Sequence, residues 1–401
     1  MRNPLKNLIN KWIKLKLPFK LLTLIILAVL IGLSAYFVTD YYMGGETYSK
    51  IGKITTQNNN SVTLVPPSPV PPKYSPVNGI QIENDDYSTV MSRQPIAIVV
   101  NNHKDARPQS GLSFADSVLE VLAEGGITRY VAVYHNNYDV SKIGPVRSLR
   151  YYMIEFASGY QDAIILHHGW AGFDGAAFEV YNEKTDARKA VSAFGIKDIQ
   201  TEASTYRDPQ KAKTSGYVHA LYTDFTRINS EIGRLSKSYG WKLGASELKS
   251  LTFKDDNPIE TRGLFNSVDI KFMSLSSNDY AAKFVYDKNT NTYLRSVGGQ
   301  ADIDTLTNKQ LAPKNVIIEW HNYADARDGH SRIVIDMIGE DKVTVLRDGE
   351  VIEGVWRKEC RLCRTEYFDQ TGKAIELNRG QIWIVNTIKV QNRLISTVTI
   401  Q

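Results

Sequence analysis

Cysteine is almost missing from this chain: two residues in 401, Cys360 and Cys363, set together as CRLC. One pair supplies only two of the four ligands that a structural zinc requires. It reads as a small local disulfide or as two free thiols. The sequence also lacks a Gly-x-Ser-x-Gly elbow, a glycine-rich phosphate loop with lysine and a His-Glu-x-x-His pattern, which weighs against familiar hydrolases, nucleotide enzymes and zinc proteases. No internal repeat is present. A basic surface is missing too, despite a net charge of +5. Arg2, Lys6, Lys11, Lys14, Lys16 and Lys20 all precede the first acid, Asp40, and setting those six aside leaves 42 basic against 43 acidic residues. No nucleic-acid footprint is expected from so even a balance, and the pattern implies no metal site and no cofactor.

What is present begins with an address. Residues 1–20 form a basic segment, and Leu21 to Val38 is an uncharged run, LLTLIILAVLIGLSAYFV. It is long enough to cross a hydrocarbon layer of about 30 Å as a helix. Cations before the run hold the N-terminus in the cytoplasm by the positive-inside rule, so everything after Asp40 faces outward. A cleaved signal peptide is the competing reading, but the apolar run is long for one and no small-x-small site follows it. Residues 39–77 read as a tether, with six of the 14 prolines in VPPSPVPPKYSP. Proline-rich chain favours extended, semi-rigid polyproline II.

The remainder reads as α/β or α+β: a mixed-sheet domain with helices over 78–245, then a mostly β region over 246–401. PIAIVVNN, TRYVAVYHN and DAIILHHG predict strands. SFADSVLEVLAEGG predicts a helix closed by Gly125 and Gly126, with Asp116, Glu120 and Glu124 along one face. KIGPVRSLRYYMIEFASGY predicts another, started by Gly144 and Pro145, and Thr223–Tyr239 a third. Beyond Val268 the period turns to two, with a hairpin turn at RDGE.

Four groups of residues carry chemistry. At the helix start predicted in KIGPVRSLR, free N–H groups beside Arg147, Ser148 and Arg150 would attract an anion; the alternative is that the arginines pair with nearby acids. The loop NNHKDARPQSG offers Asn102, Arg107, Gln109 and Ser110 at a strand end. Arg129, Tyr206 and Arg207 are candidates for the same crevice. Asp116 or Glu120 with His168 or His219 could serve as an acid/base pair. Two function classes follow: a binding module for an anionic envelope polymer or partner protein, or a hydrolase or transferase acting on envelope glycan or phosphoester.

NNHKDARPQSGLSFADSVLEVLAEGGITRYVAVYHN followed by KIGPVRSLR resembles the YerB-like lipoproteins of bacteria, domain-of-unknown-function family 3048. YDKNTNTYLRSVGGQADID, KNVIIEW and YFDQTGKAIELNRGQIWI are similar to that family's C-terminal region. The likeness runs through most of residues 78–390. It implies an extracytoplasmic protein attached to the cytoplasmic membrane and no assigned activity. This chain departs from the family in having the run Leu21–Val38 where a lipid-modified cysteine would stand.

Overall fold

Five apolar side chains in a row and a closing asparagine, Ile96–Asn101 (β1), make a strand that is buried on both faces, and the main sheet grows on either side of it. In chain order the further strands are Ser117–Leu122 (β2), Thr128–Tyr134 (β3), Ile164–Leu166 (β4), Asp198–Ile199 (β5), Ser267–Lys271 (β6), Ala282–Asp287 (β7), Thr292–Val297 (β8), Asn315–Asp325 (β9), Gly339–Arg347 (β10), Glu350–Lys358 (β11), Glu366–Asp369 (β12), Ile382–Val390 (β13) and Thr397–Ile400 (β14). The computed structural model describes residues 73–273 and 277–401. The predicted basic segment, the span 21–38 and most of the tether lie outside the described residues. Among those described, no helix is long and apolar enough to cross a membrane.

The main sheet has twelve strands. Ten follow the order β12-β11-β10-β9-β13-β2-β3-β1-β4-β5, and Ile333–Ile335 and Arg393–Leu394 pair onto β9 and β13. It is a mixed sheet: β9, β13 and β2 run parallel, β3 lies antiparallel between β2 and β1, and β4 and β5 extend β1 in parallel. One sheet thus passes through both halves of the chain, joined where Ile382–Val385 of β13 pair with Ser117–Glu120 of β2. A second sheet of five strands orders Gln300–Ala301, β8, β7, β6 and β14. Five helices lie among the described residues: Asn84–Ser92 (α1), Tyr151–Ser158 (α2), Ala187–Ala193 (α3), Pro209–Ser215 (α4) and Phe225–Tyr239 (α5). The class is mixed α/β with a C-terminal region mostly of strands, as the sequence pattern predicts.

Local chemistry accounts for several elements. The RDGE hairpin joins β10 to β11 with Asp348 at φ 49° and Gly349 at φ 70°, two positive angles in a row that suit a two-residue turn matching strand twist. Asp224 caps α5 by accepting from the Arg227 N–H, and Phe225, Ile228 and Leu235 bury its apolar stripe. Residues 73–77, read as the end of the tether, are folded onto the body. Lys73–Tyr74 pair with Gln81–Ile82, and Arg364 donates to the carbonyls of Pro76 and Val77. Cys360 and Cys363 form a disulfide.

The helix predicted over Ser113–Gly126 is instead strand β2. All six of its residues are buried, so the apolar pattern has no wet face from which a period can be read. Val118 and Val121 favour the strand. Ser113, the first residue of that stretch, donates through Oγ and N–H to Asp304 at 2.7 and 2.8 Å.

Glu120 is the one charge in β2, and its partner comes from the other sheet. Arg295 of β8 donates to Glu120 at 2.7 Å and also bonds Asp302, with all three side chains within 3% of full burial. The guanidinium lies 4.7 Å from the Trp383 ring centroid. Burial alone would lower the Arg295 pKa, but Glu120, Tyr130 and Asp302 reverse this and hold it charged. Arg295→Met would leave two buried carboxylates unpaired, and such a break typically costs about 3–5 kcal/mol. Urea unfolding should show a loss of that size.

A second expectation concerns Glu155 on the inner face of α2. Burial first, offset by Lys184 and Lys358, raises its carboxyl from 4.5 to about 7. The folded pKa exceeds the unfolded one, so its contribution to stability is complete below about pH 4.5 and is lost as pH rises through about 7. Glu155→Gln should match wild type near pH 4.5 and exceed it at pH 8, by up to about 3 kcal/mol. Unfolding curves across that range will read the difference.

Candidate functional site

Because β1, β2, β4 and β5 run the same way, their carboxyl ends share one edge of the sheet. Asn101 ends β1, Glu124 follows β2, His167 and His168 follow β4, and Gln200 follows β5. Arg129, near the start of the antiparallel β3, pairs in register with Asn101 and Val121 and so joins the same edge. Open α/β sheets place ligands at such edges.

Into this edge runs residues 143–149, and here the sequence expectation is corrected. The segment is not a helix start. Pro145 follows a cis peptide, Val146 forms a bridge with Val100, and α2 begins only at Tyr151. The N–H groups of Val146, Arg147 and Leu149 donate to Leu221, Val99 and Gly169 at 2.6, 2.8 and 3.0 Å. None of the three is free for an anion. Gly144 is needed for the fit: φ is 141°, and a Cβ would stand 3.0 Å from the Leu221 carbonyl.

The side chains divide sharply by partner. Arg150 takes Glu124 as a fork, with Nη2 to Oε2 at 2.7 Å, and Arg129 adds a contact to the same carboxylate at 3.5 Å. Arg129 also donates to the Ser148 carbonyl at 2.6 Å, and Ser148 Oγ donates to His168 O at 3.1 Å. Both arginines are clamps, and of the two in KIGPVRSLR the pairing alternative holds for Arg150. Arg147 is different. Among the described residues its half-buried guanidinium has no hydrogen bond and no ion pair. Burial, then the like charges of Arg150 and Arg207, draws it below its ordinary pKa. Burial, then Arg150, brings Arg129 down to about 10. Arg207 reaches the edge with its guanidinium 3.5 Å from the Tyr217 ring centroid and donates to the Tyr217 carbonyl.

Burial first lowers both histidines. His168 is lowered further by Arg207, and His219 by His103 and then Arg147. Both are neutral at pH 7. Arg147 acts on both histidines and Arg207 on Arg147 and His168, so these four side chains cluster along this edge of the sheet, with Glu202 and Asp105 acting on the histidines from the other sign.

Other predicted residues go elsewhere. Asn102 is buried and donates to Thr128 at 2.7 Å and Glu120 at 3.4 Å. Arg107 donates to Asn102 at 2.9 Å and to the Asp279 carbonyl at 2.6 Å, and it lines a separate cleft of about 410 Å³. Gln109 is buried and donates to the Asn101 carbonyl and Asn102 Oδ1, while Ser110 is bridged to Gly144. The NNHKDARPQSG loop therefore braces the core with these four residues. Tyr206 turns away from Arg207, toward Arg227.

The proposed acids are likewise interior. Asp116 accepts from the Asn78 and Asn136 amides and from the N–H groups of His135 and Asn136 at 2.6–3.0 Å. Burial raises its pKa to about 6. Glu120 belongs to Arg295. Asp116 stands just before β2 and Glu120 within it, and both are buried and held by these partners rather than by His168 or His219.

Two residues missed by the sequence reading stand beside the crevice. His103 and Asp105 lie in the NNHKDARPQSG loop, and the His103 ring stacks on His219 with centroids 4.7 Å apart. The three side chains bring one donor atom each within 4.8 Å of the others. The His-x-Asp spacing was visible in the sequence; the 114-residue jump to His219 was not.

The chain can now be set beside known proteins. The model described as "Protein of unknown function (DUF3048) N-terminal domain" matches residues 82–238, and its C-terminal counterpart matches residues 268–384. The protein named "Putative lipoprotein YerB" from Bacillus subtilis (strain 168) is 32% identical over 295 residues, spanning 71% of this chain and 78% of that protein. The crystal structure of YerB from Bacillus subtilis superposes with a TM-score of 0.66 at 28% identity, covering 82% of this chain and 99% of that one. An unpaired arginine on a strand-end edge is thus carried by a fold that this chain shares with YerB, and the chain belongs to the DUF3048 family.

Proposed function

We propose that the protein is a membrane-anchored, extracytoplasmic binding module that recognises an anionic group of a cell-envelope polymer or partner through Arg147. The observation that carries this reading is the guanidinium itself: half-buried, held by its backbone beside β1, and without a hydrogen bond or ion pair among the described residues. A forked donor so placed suits phosphate or carboxylate. Tyr217, 64% exposed beneath Arg207, offers a flat face to whatever carries the charge. The hydrolase or transferase reading loses its acids to the core.

Location is supported by similarity to a protein named as a lipoprotein and by the apolar run Leu21–Val38 behind its cationic flank. A disulfide with Cys360 exposed suits an oxidising compartment.

Two outcomes are expected. Arg147→Ala should lower retention of the purified protein on isolated anionic wall polymer by at least about tenfold, the ~1.5–3 kcal/mol of a charged hydrogen bond. Its thermal midpoint should stay within about 2 °C of wild type, because a surface-accessible side chain without partners contributes little to folding. An equal drop in stability would make Arg147 structural instead. Protease added to intact cells should remove the folded body; protection until the membrane is opened would overturn the location.

A further inference from the structure

We infer that His103, Asp105 and His219 hold a divalent transition-metal ion at the margin of the Arg147 crevice. Two imidazoles and a carboxylate are a donor set suited to zinc and its neighbours, and three protein ligands leave a coordination position open. His103 Nδ1 and Asp105 Oδ2 already stand 3.5 Å apart. That is close to the roughly 3.3 Å edge of a tetrahedron with metal–ligand bonds near 2 Å. Since each donor atom lies within 4.8 Å of the other two, small side-chain movements close the site.

The geometry states what must move. A metal lies in the plane of each imidazole that binds it, but the His103 and His219 rings are stacked at 16°. One ring has to turn. His103, about 29% exposed at the head of a three-residue turn, has the room. His219 is held by Asn101, whose Nδ2 lies 3.0 Å from His219 Nδ1, while Asn101 Oδ1 accepts the His103 N–H at 2.9 Å. Metal on His219 Nε2 leaves the proton on Nδ1, which needs an acceptor rather than an amide donor. Asn101 is therefore a positioning residue set for the metal-free ring, and a carboxylate in its place would hold the metal-bound one.

Charge sets a further condition, which rests on the anion reading above. Arg147 and Lys211 are cations acting on His219, offset in part by the Asp105 carboxylate, so a dication here gains from an anion shared between it and Arg147. Metal and anion should then bind with positive, reciprocal coupling.

The test uses the full chain in detergent, stripped with a chelator and titrated with Zn²⁺, with and without saturating glycerol phosphate. One zinc per chain is expected, held more tightly when the ester is present. His103→Ala and His219→Ala should each weaken it by more than about 100-fold, beyond the roughly 10–100-fold typical of losing an outer partner. Asn101→Asp should tighten it by about tenfold. Arg147→Ala should tighten zinc binding measured without the ester, because a like charge is removed, and abolish the coupling. No stoichiometric zinc under either condition, or zinc that survives the double His103→Ala, His219→Ala change, overturns the site, as does a folded Asn101→Asp protein that binds more weakly. Zinc affinity indifferent to the ester overturns the shared ligand alone. Polymer retention that persists in Arg147→Ala sinks the anion reading and leaves the metal site standing.

Discussion

Arg295 is the joint on which this body turns. It projects from the smaller sheet into the face of the larger one, meets Glu120 and Asp302, and is walled by Trp383, Tyr130 and Phe284. Taking three charges out of water costs several kcal/mol for each ion, and only good geometry with full hydrogen bonding returns it. An apolar cluster of the same volume would hold the sheets as well. What the ionic cluster adds is registration: Glu120 can be satisfied only if β2 and β8 meet at one position, and a slip of one residue would bury an unpaired carboxylate.

That registration reaches the edge of the sheet through a short chain of polar contacts. Glu120 is bonded to Thr128 and Asn102; Asn102 holds Arg107 and Gln109; Gln109 returns to the Asn101 carbonyl. The loop carrying His103 and Asp105 is thereby fixed from beneath, as a binding constellation has to be. Residues that looked functional in the sequence are thus second to the site. Asn102, Arg107 and Gln109 brace this loop through their hydrogen bonds.

The same division explains what could be read in advance. β1, β3, β4, α5 and the β10–β11 hairpin were legible because each carries a pattern fixed by its own neighbours: an apolar run closed by turn formers, a capped amphipathic stripe, or an Asp-Gly pair. β2 was not, since a strand covered on both faces has no period to distinguish it from a buried helix. Once β2 was read as a helix, Asp116 and Glu120 appeared to share a solvated face, and the acid/base hypothesis followed from that error. At the site, the arginines were found by type and position, but which of them would be clamps depended on Glu124. Its carboxylate takes Arg150 and Arg129 across 26 and 5 residues, distances that sequence spacing cannot assign. The His103–His219 stack has the same origin.

Glu124 also fixes the charge of the crevice. It is shared by Arg150 and Arg129, which leaves Arg147 and Arg207 without an ion pair among the described residues. Like charges a few ångströms apart cost on the order of 4 kcal/mol at an effective dielectric near 20, against about 1 in bulk water. Arg147 is still about half exposed, so solvent screens most of this cost, and among the described residues no hydrogen bond to its guanidinium offsets what remains. Folding alone gains nothing from the arrangement. On the proposed reading an arriving anion would gain from it, adding its own attraction while offsetting the like charges around Arg147. The side chain that marks the site is the one the fold leaves unsatisfied.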